Sequence, residues 1–241
     1  MKRKKFIEVS ALGLIGLSSV SFTDFQSKIS KKDLMGKGNP VLVGEGYKLR
    51  KKANQAFSKM RSAALKEGIK LKVVSSYRDY SHQNRIWERK YERYTASGLS
   101  PIKAIEKIIQ YSTIPGTSRH HWGTDLDIVD GSVKQPRDVL LTKHFHNGGP
   151  FTRFKTWMDH NANDYGFYLV YTNKKGRKGF KYEPWHYSYA PSSKPMLKEF
   201  RKLDIKTELQ KSVLMGSSHF TSKFIQKYIN ENILDINPEL L

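Results

Sequence analysis

The chain has 241 residues, no cysteine, and 43 Lys plus Arg against 22 Asp plus Glu, a formal charge of +21. That length supports one domain with a real core plus appendages, and the lack of cysteine excludes disulfides, thiolate metal sites, a cysteine nucleophile and a lipid anchor on cysteine. The charge draws the chain toward polyanions such as anionic polymers or lipid headgroups. No zinc-finger spacing, RNP-like strand or Walker loop accompanies it, so no specific nucleic-acid partner is expected.

Residues 1–22 join a basic start, Lys2-Arg3-Lys4-Lys5, to a moderately apolar stretch at 9–22. The stretch is shorter than the roughly 20 apolar residues of a membrane span, and it reads as an export signal or N-terminal anchor. Arg3-Lys4-Lys5-Phe6-Ile7-Glu8 is similar to a twin-arginine signal with Lys in the second basic position, and Ser19-Val20-Ser21 is a small-x-small cleavage candidate. Residues 23–46 are polar and aperiodic, as in a linker.

Leu49, Ala53, Phe57, Met60 and Ala64 recur at threes and fours, which predicts a helix over 47–66 ended by Gly68. The β-branched run 71–75 predicts a strand. Helices follow over 81–95 and from Ser100-Pro101 onward, the second with Ser at the cap and Pro in the first turn. Residues 114–117 form a loop, 124–129 alternate as a strand, 135–150 are irregular, and 151–165 form a helix closed by Gly166. Strands at 167–171 and 182–189 flank an exposed basic turn at 173–179. Beyond Pro195 the chain is helical in pieces, around 196–203, 206–214 and 220–233. This order predicts an α+β fold: a small, mainly antiparallel sheet flanked by helices, with a helical extension over 203–241.

Two strings concentrate the chemistry. In Ser118-Arg119-His120-His121-Trp122-Gly123-Thr124-Asp125-Leu126-Asp127, a strand from Thr124 would place Asp125 and Asp127 on one face. His120 reaches the same side from the preceding loop, and Gly123 permits the bend. In Glu183-Pro184-Trp185-His186, Pro184 marks a strand start or bulge, so His186 can join a metal sphere while Glu183 faces the remaining water. Zinc accepts such a mixed imidazole and carboxylate set with one position left open. Trp185, Tyr187 and Tyr189 are expected on the opposite face, in the core. His121 is left as a pocket or packing residue, His144 and His146 as a loop pair, and His82, His160 and His219 as surface residues.

A third string, Ser75-Ser76-Tyr77-Arg78 with Gln83, completes a pattern. S-x-H-x-x-G-x-(small)-x-D is met at Ser118, His120, Gly123 and Asp127, E-x-W-H at Glu183, Trp185 and His186, and S-x-Y-R-x-x-x-x-Q at Ser75, Tyr77, Arg78 and Gln83. Over about 47–200 the chain resembles the zinc D-alanyl-D-alanine carboxypeptidase and dipeptidase family of bacterial cell-wall peptidases. The resemblance implies a zinc peptidase domain over 47–202 with one Zn2+ per chain held by His120, Asp127 and His186. It further implies Glu183 as general base, Arg78 on the substrate carbonyl or carboxylate, and Ser75, Tyr77, Gln83 and Ser118 as substrate-binding residues. Asp125 stands where the family has a small residue, and it is expected to orient a ligand imidazole or to pair with a nearby Lys. The implied activity is D,D-carboxypeptidase action on peptidoglycan stem peptides outside the cytoplasmic membrane. L,D-carboxypeptidase, D,D-dipeptidase, cell-wall endopeptidase and a non-catalytic, zinc-stabilised wall-binding module are the alternatives. Anionic cell-wall polymers and a membrane surface are the further partners that the charge suggests.

Overall fold

The computed structural model describes residues 29–241; the export signal expected over 1–22, its cleavage candidate and the start of the linker lie outside those residues. Among the described residues no helix is long and apolar enough to cross a membrane. The helices are α1 (Lys31–Leu34), α2 (Lys51–Lys66), α3 (Tyr80–Ala96), α4 (Pro101–Ile108), α5 (Thr152–Asn161), α6 (Ala190–Phe200), α7 (Ile205–Gln210) and α8 (Ser222–Tyr228). One sheet contains β1 (Leu71–Ser75), β2 (Asp125–Asp130), β3 (Phe167–Leu169) and β4 (His186–Tyr189), in the order β1-β2-β4-β3 with every neighbour antiparallel. The α+β architecture expected from the sequence is the one observed.

Strand β2 is buried along its whole length, because the sheet is covered on both faces. On one face Leu126, Ile128 and Tyr187 pack with Phe57 and Met60 of α2 and Phe154 of α5. On the other lies a second apolar cluster, in which Trp87, Ile105, Trp122 and Tyr171 join Leu209, Ile225, Tyr228 and Leu240. The extension over 203–241 is therefore built into the core beside the sheet. Tyr228 illustrates the docking: its hydroxyl accepts from the Ile114 N–H at 3.0 Å and lies 2.8 Å from Thr117 Oγ1. Asn237 continues it, its backbone N–H and its side-chain amide both donating to carbonyls at the end of β3.

Several element boundaries differ from expectation, each for a local reason. Helix α2 starts at Lys51, not at 47, because Leu49 exchanges backbone hydrogen bonds with Val43 and is unavailable to a helix. Asp79 caps α3 through the His82 N–H. The expected 151–165 helix breaks into α5 and a 3-10 turn, Ala162–Tyr165, closed by Gly166 at φ 76°. The irregular stretch 135–150 holds a 3-10 turn, Thr142–Phe145, whose Phe145 is buried. The strands expected at 167–171 and 182–189 shorten to β3 and β4, since Glu183 donates its N–H to Tyr171 and accepts from His186 N–H in a turn around Pro184. The described part of the segment expected as a linker carries α1. Leu34 and Met35 are buried there, and the Leu34 carbonyl accepts from Trp122 Nε1. In the basic turn the Arg177 side chain turns inward, donating to the carbonyls of Thr172, Phe180 and Asp235.

Candidate metal and catalytic site

The antiparallel register pairs Asp127 with His186 and Asp125 with Ser188. Alternation along each strand puts all four side chains on the same face of the sheet. His120 arrives on a 3-10 turn, Arg119–Trp122, whose first turn is capped by Ser118 Oγ accepting from the His120 N–H at 3.3 Å. Gly123, at φ 67°, ends the turn and delivers the chain into β2. His120, Asp127 and His186 each offer one ligand atom, and these atoms lie within 4.8 Å of one another in a buried pocket.

Their hydrogen bonds fix which nitrogens are free. His120 Nδ1 is 2.8 Å from the Ser76 carbonyl, so it carries the proton and leaves Nε2, 3.5 Å from Asp127 Oδ2, as the lone-pair atom. His186 Nε2 is 3.0 Å from Asp125 Oδ2, which turns Nδ1 toward Glu183 Oε2 at 3.1 Å and Asp127 Oδ1 at 3.9 Å. Asp127 Oδ1 is buried without a hydrogen-bond partner, a costly arrangement for a carboxylate oxygen unless something coordinates it. Two imidazole nitrogens and an orphaned carboxylate oxygen fit a divalent metal ion of the zinc type.

Asp125 contacts the His186 imidazole, and the cation that it pairs with is an arginine where a lysine was expected. Its Oδ2 accepts from Arg119 Nε at 3.0 Å and its Oδ1 from Ser188 Oγ and Thr124 Oγ1, each at 2.7 Å, while Arg119 also donates to Ser188. Burial would raise the Asp125 carboxyl, but the charges of Arg119 and His186 hold it well below the usual carboxylate range. Burial likewise opposes a charge on His186, yet its hydrogen bonds to Asp125 and Glu183 and the nearby Asp127 push it up to about 9. Glu183 moves up because it is buried, with Asp127 acting in the same direction and His186 against. A carboxylate so raised is better matched to accepting a proton near neutral pH.

His120, Asp127, Glu183 and His186 line a cavity of about 500 Å³ together with Arg78 and Ser118. Arg78 has a buried Nε without a hydrogen-bond partner and lies in the field of Asp127 and Glu183. Its backbone is held by His121: the imidazole Nδ1 is 2.6 Å from the Arg78 carbonyl, and Nε2 accepts from the Gly116 N–H at 3.2 Å. Burial pushes His121 down to about 3, in keeping with a neutral ring that donates at one nitrogen and accepts at the other. The remaining pieces of the third string lie off the cavity. Ser75 of β1 is the register partner of Asp127, the Tyr77 hydroxyl is raised by burial and by the charges of Asp79 and Asp33, and Gln83 is buried with Nε2 on the Thr113 carbonyl. His146 bonds the Tyr182 hydroxyl and His144 stacks edge-on against Phe151.

Arg119, Ser188 and the Ser76 carbonyl were not singled out from sequence. Ser188 was findable, being two residues from His186 on the same strand face. Arg119 and Ser76 were not, because their roles exist only once the turn folds onto β1 and β4.

The fold and site thus define a candidate metal-ligand set with an adjoining carboxylate, lining a cleft on a small antiparallel sheet. Residues 46–192 match the VanY family, described as D-alanyl-D-alanine carboxypeptidase, and the chain belongs to that family. It is 33% identical over 131 residues to the bifunctional D-Ala-D-Ala dipeptidase and D-Ala-D-Ala carboxypeptidase VanXYC of Enterococcus gallinarum, covering 54% of this chain and 60% of that one. A D-alanyl-D-alanine carboxypeptidase of Enterococcus faecalis is 30% identical over 129 residues, 53% of this chain and 42% of that one. The chain spans about half the length of the curated relatives it matches. The solved structure of VanYB in complex with D-Alanine-D-Alanine shares the fold, with a TM-score of 0.52 and 21% identity over 73% of this chain and 91% of that one.

Proposed function

We propose that the protein is a zinc-dependent D,D-carboxypeptidase that removes the terminal D-Ala from peptidoglycan stem peptides. The observation that carries this reading is the convergence of a buried His120, Asp127 and His186 set with a raised Glu183 carboxylate in one cleft. A structural metal site has no need of a base, so Glu183 favours an enzyme over a wall-binding module. Family membership and the names of the Enterococcus relatives supply the substrate class.

His120 through Nε2, His186 through Nδ1 and Asp127 through its free oxygen would hold the ion. Zinc in such a site polarises a carbonyl and brings the pKa of a water to about 7. Glu183 takes the proton of the attacking water and returns it to the departing amine. Arg78 donates to the substrate oxygen on which negative charge grows, in a site where water no longer competes. Asp125 and the Ser76 carbonyl hold the two ligand imidazoles in the tautomers that leave the right nitrogen free. Ser118 lines the cleft and holds the His120 turn, while Ser75, Tyr77 and Gln83 support the site from outside it.

The basic, then apolar residues 1–22 fit export to the space where stem peptides occur, and the charge of +21 fits retention on anionic wall polymers. Mass spectrometry of digested, defined muropeptides tests the reading. A single D-Ala released from a pentapeptide stem is expected. Cleavage of tetrapeptide stems alone would make the enzyme an L,D-carboxypeptidase, and release of D-Ala-D-Ala a dipeptidase or endopeptidase.

A further inference from the structure

The cleft contains more positive charge than its catalytic groups account for. Arg119 is committed to Asp125 and Ser188, and Arg78 faces Asp127 and Glu183. The remaining cations of the cavity wall, Arg89 and Lys90, come from α3, where Ile86, Arg89 and Lys90 at i, i+3 and i+4 turn one helix face toward the opening. Neither forms an ion pair with an acidic side chain among the described residues.

Lys90 is the more telling of the two. It is half-buried, and its ammonium has one hydrogen-bond partner, the buried Ser112 hydroxyl at 2.5 Å. An ammonium has three donors; Ser112 takes one, which leaves two for an anionic group that enters the cavity. Burial and the neighbouring Arg93 lower its pKa, while Glu183 acts in the opposite direction. Ser112 cannot neutralise the charge; it aims the ammonium. Arg89 is exposed and adds attraction at the mouth.

We propose that Lys90, aimed by Ser112 and assisted by Arg89, forms a carboxylate-binding subsite that fixes the substrate peptide in the cleft. This rests on the peptidase reading above and deepens it. A stem peptide offers a carboxylate from two sources, its free C-terminus and an acidic side chain upstream of the cut bond, and the same ammonium can bind either. Lys90 on this account determines specificity and touches no reacting atom. Arg78 is then free to serve the carbonyl oxygen.

The test compares wild type with Lys90→Met, Lys90→Arg and Arg89→Ala. The peptides end in D-Ala-D-Ala as free acid or C-terminal amide, each with an acidic or a neutral side chain upstream. Lys90→Met should raise KM about 10- to 100-fold for peptides carrying the recognised carboxylate, the loss typical of a charge-assisted hydrogen bond. It should leave kcat near wild type and make the matched neutral peptide no worse than before. Lys90→Arg should retain most of the preference, and Arg89→Ala should weaken it more at low salt than at high salt. Loss of the acid-over-amide preference assigns the C-terminus, and loss of the acidic-side-chain preference assigns the upstream group. An equal fall for all peptides, or an unchanged preference with both carboxylates, overturns the subsite.

Binding is read separately, as the rise in thermal midpoint given by each of the four peptides, acid or amide and with an acidic or a neutral side chain, in wild type and in Lys90→Met. That arm decides the matter whether or not any peptide is cut. A wild type that binds the acid better than the amide through Lys90 but cleaves neither would sink the peptidase reading alone. No difference between acid and amide, with an acidic side chain bound no better than a neutral one, would sink the subsite alone.

Discussion

Asp127 and His186 are register partners across β2 and β4, with Asp127 Oδ1 3.9 Å from His186 Nδ1. Directly opposed residues in an antiparallel pair have Cβ atoms about 4.5–5.5 Å apart, so the sheet itself sets the spacing of two proposed ligands. Only His120 depends on a turn.

One zinc per chain is expected in purified protein, and chelation should lower the thermal midpoint. An ion present at a thousandfold excess over its dissociation constant contributes about 4 kcal/mol to stability. Metal analysis and melting curves of wild type, His120→Ala and His186→Ala check this; undiminished zinc in both variants would falsify the ligand assignment.

Asp125→Asn should weaken metal binding about 10- to 100-fold, because His186 loses the partner that holds Nε2 protonated and directs Nδ1 inward. It should also lower stability in the metal-free protein, since Arg119 is left buried beside an amide. Competition titration with a zinc indicator and denaturant unfolding measure the two effects apart. Wild-type affinity in the variant would reduce Asp125 to an ion-pair partner of Arg119.

Glu183→Gln should keep the metal and lose about 10²–10⁴-fold in turnover, as an amide cannot take the water's proton. Steady-state kinetics on a D-Ala-D-Ala peptide, with metal content measured on the same sample, is the check. Normal turnover would place the base elsewhere in the cleft.

Tyr228→Phe should cost about 1–3 kcal/mol, because the buried Ile114 N–H loses its acceptor and Thr117 Oγ1 a partner. Deleting 203–241 should be far more severe, leaving Trp87, Ile105 and Trp122 without the apolar side chains of α7 and α8 that complete their cluster. Urea unfolding of the point variant and the near-UV circular dichroism of the truncation read these outcomes. A truncated chain with native near-UV signal and cooperative melting would show that the extension is dispensable to the core.

The sequence by itself determined the two strings that carry the proposed ligands. His120, Asp125 and Asp127 fall within eight residues, and Glu183 and His186 within four, so strand alternation and one glycine bend suffice to place them. The same local rules yielded β1 at its observed bounds and the two-face burial of Tyr187 against His186. What only the tertiary structure decided are the groups that act across long sequence separations. His121 beneath Arg78, Arg119 on Asp125 and Ser188, and Gln83 turned away from the cleft to Thr113 depend on how turns stack on the sheet, which no periodicity encodes. Lys90 joins the cavity wall only because α3 packs its Ile86, Arg89 and Lys90 face along it. The apolar spacing of the C-terminal extension specifies helices but not the surface they bury against. That surface, including the Ile114–Thr117 loop beside the first ligand string, forms only when residues more than a hundred positions apart meet in one core.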